Sequence, residues 1–347
     1  MNWFRYTRRL LELAGIMGVV LYAFILILDP YQNVPFSPPF DRAPIATNQR
    51  FSYPAVARDP RFDALVMGTS TSRLLDPESL GALTGAHFAN LAMNSATAYE
   101  QQRIHELFVR HHPDLRYLVL GVDEIWCTRA DDPDQYTFRE FPEWMYDENP
   151  WNDLVYLFND KALEEAVRML ELLLDLRGPK YRSDGYRDFT ADFPVYDRAA
   201  VAKRLHAPGG RDDNADMPVL PALLRPDWHY VMLEELARLV ADTPPETRIV
   251  LFFPPLHARY TAKRVASFAE CKGRVLDMFQ DKPQVEVLDY LSVSPLTRND
   301  DNYWDPLHFT REVSQLIERD IAVVLGGVGS LSADVRRYPA DAQPGPD

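Results

Sequence analysis

Only two cysteines, Cys127 and Cys271, occur in the 347 residues. That scarcity excludes a disulfide-rich scaffold, and neither cysteine has a partner at metal-ligand spacing, so a cysteine-based zinc site is excluded too. One bridge is all the pair allows. Positive charge is also short: 37 Lys and Arg face 51 Asp and Glu, for a net charge of −14 and a pI near 5.1. Without a basic surface to neutralise phosphates, a nucleic-acid partner is not expected. Internal repeats are lacking. The segment Asp212-x-Asn214-x-Asp216 opens like a calcium loop, but Met217 stands at the required glycine and Leu223 at the final glutamate, so no metal is expected there. The remainder, 46% hydrophobic and 25% charged, is a globular composition rather than that of collagen, a coiled coil or a disordered chain.

Long apolar stretches are just as few. Residues 10–28 (LLELAGIMGVVLYAFILIL) carry one charge, Glu12, and at 1.5 Å per residue they span roughly 28 Å, near a bilayer's hydrocarbon thickness. Arg5, Arg8 and Arg9 precede the run and Asp29-Pro30 ends it. The positive flank predicts a cytoplasmic N-terminus (1–9), a single-pass anchor (10–28) and a main domain outside the cytoplasmic membrane, periplasmic or extracellular. A cleaved signal peptide is the competing reading, but Asp-Pro-Tyr is not a small-x-small cleavage site.

Residues 29–60, rich in Pro, Phe and Arg without a period, read as an extended lead-in. Short apolar runs then occur at 63–68 (DALVMG), 87–93 (HFANLAM), 115–121 (LRYLVLG), 248–253 (RIVLFF) and 285–290 (VEVLDY), with helical stretches between them, notably 99–111. Strands alternating with crossover helices predict an α/β fold with a doubly wound parallel sheet over residues 61–325. About 125 residues separate the third and fourth strands, far beyond one crossover. An insertion at about 127–245 follows, with a helix over 152–176 whose Leu163, Val167, Leu170 and Leu174 form a stripe expected to pack on the sheet, the alternative being docking with a partner helix or the membrane. Residues 178–225 read as irregular loops or a lid, a helix near 227–242 returns the chain to the sheet, and residues 326–347 read as a disordered tail.

In a parallel sheet ligands gather at the carboxyl ends of strands. The first strand ends in Gly68-Thr69-Ser70-Thr71-Ser72-Arg73, ahead of a helix start at Asp76-Pro77-Glu78, which makes Ser70 the candidate nucleophile. A serine hydroxyl needs a base, and the base needs an orienting partner. Asp305 and His308, three residues apart after the last strand, can supply both. The bland readings are a Gly-Thr-Ser turn and a helix cap at Thr310. His257, after the fourth strand, is a weaker pocket candidate.

These blocks resemble the SGNH (GDSL-like) hydrolase superfamily, in particular its divergent membrane-anchored bacterial branch. Gly68-Thr69-Ser70 stands where Gly-Asp-Ser usually stands, and Asp305-x-x-His308 matches the late Asp-x-x-His motif. The resemblance implies a flavodoxin-like sandwich with Ser70, His308 and Asp305 as a triad. Asn90-Leu91-Ala92-Met93-Asn94-Ser95 is similar to the second block, with Ser95 at the glycine whose amide binds the oxyanion and Asn94 beside it. The third block departs: Gly121-Val122-Asp123-Glu124 places a carboxylate where the family has an asparagine. An ionised Asp123 repels an oxyanion, so it serves only if protonated or bonded to another group such as Arg73. The implied function is a serine esterase or O-acyltransferase acting on acyl, foremost acetyl, esters of a cell-surface or secreted polysaccharide, without metal or organic cofactor. The alternative is an inactive scaffold or glycan-binding subunit of an envelope assembly. Trp126, Trp144, Trp151 and Trp228 are sugar-stacking candidates whose bland role is core.

Overall fold

The computed structural model describes residues 3–40, 42–129, 133–190, 195–206, 228–261 and 265–339. In chain order the elements are α1 (Trp3–Leu28), α2 (Gln49–Ala57), β1 (Ala64–Met67), α3 (Pro77–Thr84), β2 (Phe88–Asn90), α4 (Ala98–His111), β3 (Tyr117–Gly121) and α5 (Asp160–Leu173). There follow α6 (Arg198–Leu205), α7 (Val231–Asp242), β4 (Arg248–Phe253), α8 (Ala258–Thr261), α9 (Val265–Phe279), β5 (Val285–Asp289), α10 (Pro295–Arg298), α11 (Arg311–Val324) and β6 (Arg336–Pro339). They divide into two compact units, residues 1–56 with 141–185 and residues 57–140 with 186–347.

The larger unit holds a six-stranded sheet in the order β2-β1-β3-β4-β5-β6. The first five strands are parallel and β6 is antiparallel to β5. All five apolar runs form strands because strands covered on both faces need no polar alternation; every residue of β1 is buried. Val66, Val119, Val250 and Leu288, one from each of four adjacent strands, share a core with Leu80 of α3 and Val313, Ile317 and Ile321 of α11. Helix starts follow their caps. Asp76 accepts from the Glu78 N–H with Pro77 next to it, and Thr97 and Glu100 form a reciprocal capping box on α4. Cys127 and Cys271 are bonded, with Cα atoms 5.6 Å apart.

The sequence expectations are corrected at four places. Residues 336–339, expected in a disordered tail, form β6, an edge strand with charged side chains that no apolar run announces. The 152–176 helix is shorter: a 3-10 turn covers Asp153–Leu157 and α5 begins after the Asn159 cap. Its stripe does not pack on a sheet, because α5 belongs to the smaller unit and buries Ala162, Glu165, Ala166 and Met169 while Val167 and Leu174 stay exposed. The lead-in is no extended linker either. It contains α2 and buries Tyr31, Val34, Ile45, Arg50 and Tyr53, and the Tyr53 and Tyr146 hydroxyls donate to the Gly185 and Arg50 carbonyls within the same unit. The calcium-like segment 212–223 and residues 340–347 lie outside the described residues. Among the described residues, α1 is the one helix long and apolar enough to cross a membrane.

Candidate active site

Every predicted site residue lies in the larger unit. The strand order reverses beside β1: β2 follows it on one side and β3 on the other. A crevice opens at the carboxyl ends where the chain goes two ways, and the turns after β1 and β3 both meet there.

The turn after β1 is built by a close approach. Gly68 has φ +136, and a Cβ on it would stand 2.2 Å from Ser72 Oγ; one on Gly121, at the end of β3, would stand 2.1 Å from the same atom. Ser72 thus wedges between two backbones that only glycine lets come so near. The Ser72 N–H donates to the Thr69 carbonyl (3.1 Å). Asn90, at the end of β2, donates to the Ser72 and Leu75 carbonyls (3.0 and 2.8 Å). Ser70, at the bend, is left half-buried and facing out of the turn.

The opposite wall is the loop between β5 and α11. It closes on itself through a Tyr303–Phe309 bridge and through Trp304 N–H to His308 O (2.8 Å) and Thr310 N–H to Asn302 O (2.8 Å). Asp305 Oδ1 accepts from the Leu307 and His308 amides (2.8 and 3.0 Å). Its Oδ2 lies 2.8 Å from His308 Nδ1, and His308 Nε2 lies 2.8 Å from Ser70 Oγ. Burial pushes the Asp305 carboxyl up, but the hydrogen bond and charge of His308 and the two amides outweigh it and hold the group below its ordinary value. An ionised Asp305 can only accept, so Nδ1 carries a proton, and in the neutral imidazole Nε2 has its lone pair toward the Ser70 hydroxyl. A serine, a base and an orienting carboxylate stand in the order needed for proton removal from Ser70.

The remaining candidates divide. Ser95 has φ +53, in the left-handed region that favours glycine. Arg73 does not pair with Asp123: its Nη1 donates to Asn94 Oδ1 (2.7 Å), and its guanidinium covers the Phe189 ring at 5.1 Å. Phe189 in turn meets the His308 ring edge-on at 5.5 Å. Asp123 is buried, accepts from the Thr69 hydroxyl and receives the Ile125 N–H at 3.1 Å. Burial pushes its carboxyl up to about 6, against the pull of those bonds.

His257 is a buttress. Its amide donates to the Pro306 carbonyl (3.0 Å), and its ring pairs with Asp300 at 3.2 Å. Tyr196 adds donations to the Asp300 and Tyr303 carbonyls, both 2.9 Å. Sequence reasoning missed Phe189 and Tyr196, which come from an aperiodic stretch with nothing to tie them to Ser70. The sequence signal for Thr69 is its place beside the nucleophile. Trp126 is fully buried, and Trp228 lies under the Arg129 guanidinium at 4.2 Å. Among the described residues no group of three or more His, Cys, Asp or Glu is placed to hold a metal ion. No family model matches the chain, and no curated protein matches it significantly.

Proposed function

We propose that the protein is an SGNH-like serine esterase or O-acyltransferase, held by α1 in the cytoplasmic membrane with its main domain outside the cytoplasm. The observation that carries this reading is the Ser70–His308–Asp305 relay, with two links of 2.8 Å between residues 238 and 3 positions apart. The strand order around β1 supports the flavodoxin-like sandwich. Two observations support the membrane and its far side. α1 is capped into the smaller unit, with Arg42 donating to the Leu28 carbonyl (2.9 Å), which suits an anchor better than a discarded signal. The Cys127–Cys271 bond suits an oxidising compartment.

Ser70 Oγ attacks the acyl carbonyl as His308 Nε2 takes its proton. The tetrahedral oxyanion is held by backbone N–H groups, for which the Ser70 and Ser95 amides are the candidates. Collapse breaks the ester bond, and His308 returns the proton to the leaving alcohol. Water or a sugar hydroxyl then gives its proton to His308 and attacks the acyl-serine, and as the acyl–oxygen bond breaks His308 passes that proton to Ser70 Oγ. Water makes the protein an esterase, a sugar hydroxyl an acyltransferase; a surface or secreted polysaccharide is the substrate class that suits the location. The rival is an inactive scaffold or glycan-binding subunit, favoured by the Asp123 carboxylate at the third block.

Labelling with a fluorophosphonate tests the reading on the full chain in detergent. Wild type is expected to label, and Ser70→Ala to be silent. His308→Ala is expected to slow labelling by about 10³-fold or more, since removing a triad member leaves only residual reactivity. A folded wild type that does not label favours the scaffold.

A further inference from the structure

The smaller unit grips α1 in an unexpected place. Gly18, Tyr22, Ile25 and Leu28, spaced four, three and three apart, form a buried or half-buried face of α1; Phe24 and Leu26 near its end are half-buried too, and the turns before Gly18 are exposed. Opposite that face lies Phe158, whose ring comes within 3.9 Å of where a Cβ on Gly18 would stand. The Tyr22 ring meets Phe158 edge-on at 5.5 Å, and its hydroxyl donates to the Leu154 carbonyl at 2.7 Å. α5 and the 3-10 turn before it both pack on α1. Gly18 sits about 15 Å from Leu28 and about as far from Arg8, at the 1.5 Å rise of a helix. It is the middle of the apolar run, so a bilayer that takes the run takes Phe158 with it.

The surface around Phe158 has the matching chemistry. Val155, Phe158 and Leu176 are 73%, 62% and 75% exposed, and Val167 and Leu174 on α5 are exposed with them. Of the stripe, Val167 and Leu174 therefore face out while Leu163 and Leu170 are half-buried, and Asp160, Lys161 and Glu164 flank it with charge. A helix with an apolar face and a charged face beside a span can set its apolar face into the adjoining leaflet. Acidic residues outnumber basic ones six to three over 151–177, so anionic lipid is not the attraction.

We propose that residues 154–176 form a platform embedded in the lipid leaflet on the domain's side, with the bilayer as its occupant. This rests on α1 being an uncleaved anchor. The test uses the full chain in zwitterionic phosphatidylcholine bilayers, with a polarity-sensitive nitrobenzoxadiazole label on one added cysteine; the two native cysteines are bonded to each other and do not compete. Labels go on Val155→Cys, Val167→Cys and Leu174→Cys, on Leu13→Cys in α1, and on Val328→Cys, fully exposed in the larger unit. Doxyl lipid is expected to quench the three platform labels and Leu13→Cys by roughly twofold or more, as for buried interfacial residues, and to leave Val328→Cys unchanged. Quenching at Leu13→Cys alone overturns the platform and leaves the anchor standing. No quenching at Leu13→Cys overturns both. Platform labels that shift to the blue without quenching overturn it in favour of a protein partner on this face.

Discussion

Asp123 carries the chemical tension of the site in one side chain. Its carboxyl is buried beside Thr69, with burial pushing it up to about 6 from an ordinary value near 3.8. Between those two pH values the folded chain keeps a proton that the unfolded chain has released. Stability from this group is therefore full below about pH 4, falls as pH rises to about 6 and is flat beyond, a loss of roughly 3 kcal/mol at most. Asp123→Asn cannot titrate. Denaturant titrations across this range are expected to show wild type losing stability relative to Asp123→Asn; parallel curves would mean that the carboxyl is not raised. If the neutral form is what the reaction tolerates, the ratio of Asp123→Asn to wild-type labelling rates is flat at low pH and climbs above about pH 6. Taking the ratio cancels whatever pH dependence the two proteins share. Ser70 was legible because it directly follows a strand readable from the sequence, and Asp305 and His308 because of their three-residue spacing just ahead of the last helix. What Asp123 and Arg73 do was not, since the partner of each depends on turn geometry that sequence adjacency does not encode.

Among the elements, the turn after β1 is the least tolerant. Both Gly68 and Gly121 face Ser72 Oγ at distances no real Cβ adopts, yet they differ in backbone: Gly68 has φ +136 and Gly121 is an ordinary strand residue. Gly121→Ala is expected to cost about 1–3 kcal/mol by overpacking, and adding Ser72→Ala should recover most of it because the clashing oxygen is gone. Gly68→Ala should not be rescued, since its φ is strained for any side chain and Ser72 Cβ also lies 2.9 Å away. Thermal melts of the four variants decide it; equal rescue at both glycines would show that Ser72 Oγ alone sets the spacing. The same scale explains what the sequence made readable. Fully buried parallel strands leave continuous apolar runs, and caps such as Asp76 and Thr97 mark helix starts. β6 leaves no such mark because an edge strand of Arg-Arg-Tyr-Pro is paired on one side only.

At the scale of the whole molecule, two separated segments make each unit, and this is what the sequence hid most completely. Residues 141–185 look like part of an insertion into the α/β pattern, but they fold with residues 1–56 across a gap that local periodicity cannot bridge. The disulfide is hidden for the same reason: Cys127 and Cys271 are 144 residues apart, and only the packing of α9 near the end of β3 brings them together. That separation gives the bond its energetic meaning. It closes a loop containing the whole of 141–185, and the chain-entropy model assigns a closed loop of that length about 5 kcal/mol, a ceiling that native strain and residual structure usually reduce to 2–4. Cys127→Ser with Cys271→Ser removes the crosslink without leaving a reactive thiol. Its midpoint in guanidinium should fall in proportion, and reductant should lower the wild-type midpoint to the same value while leaving the double variant unmoved. If the crosslink acts through the unfolded chain, Ser70 labelling in native buffer should survive in the double variant at close to the wild-type rate, because the relay is held by the loop between β5 and α11 and by the turn after β1. Labelling lost together with the bond, in protein that is still folded, would instead mean that the bond shapes the turn after β3, and with it the surroundings of Asp123.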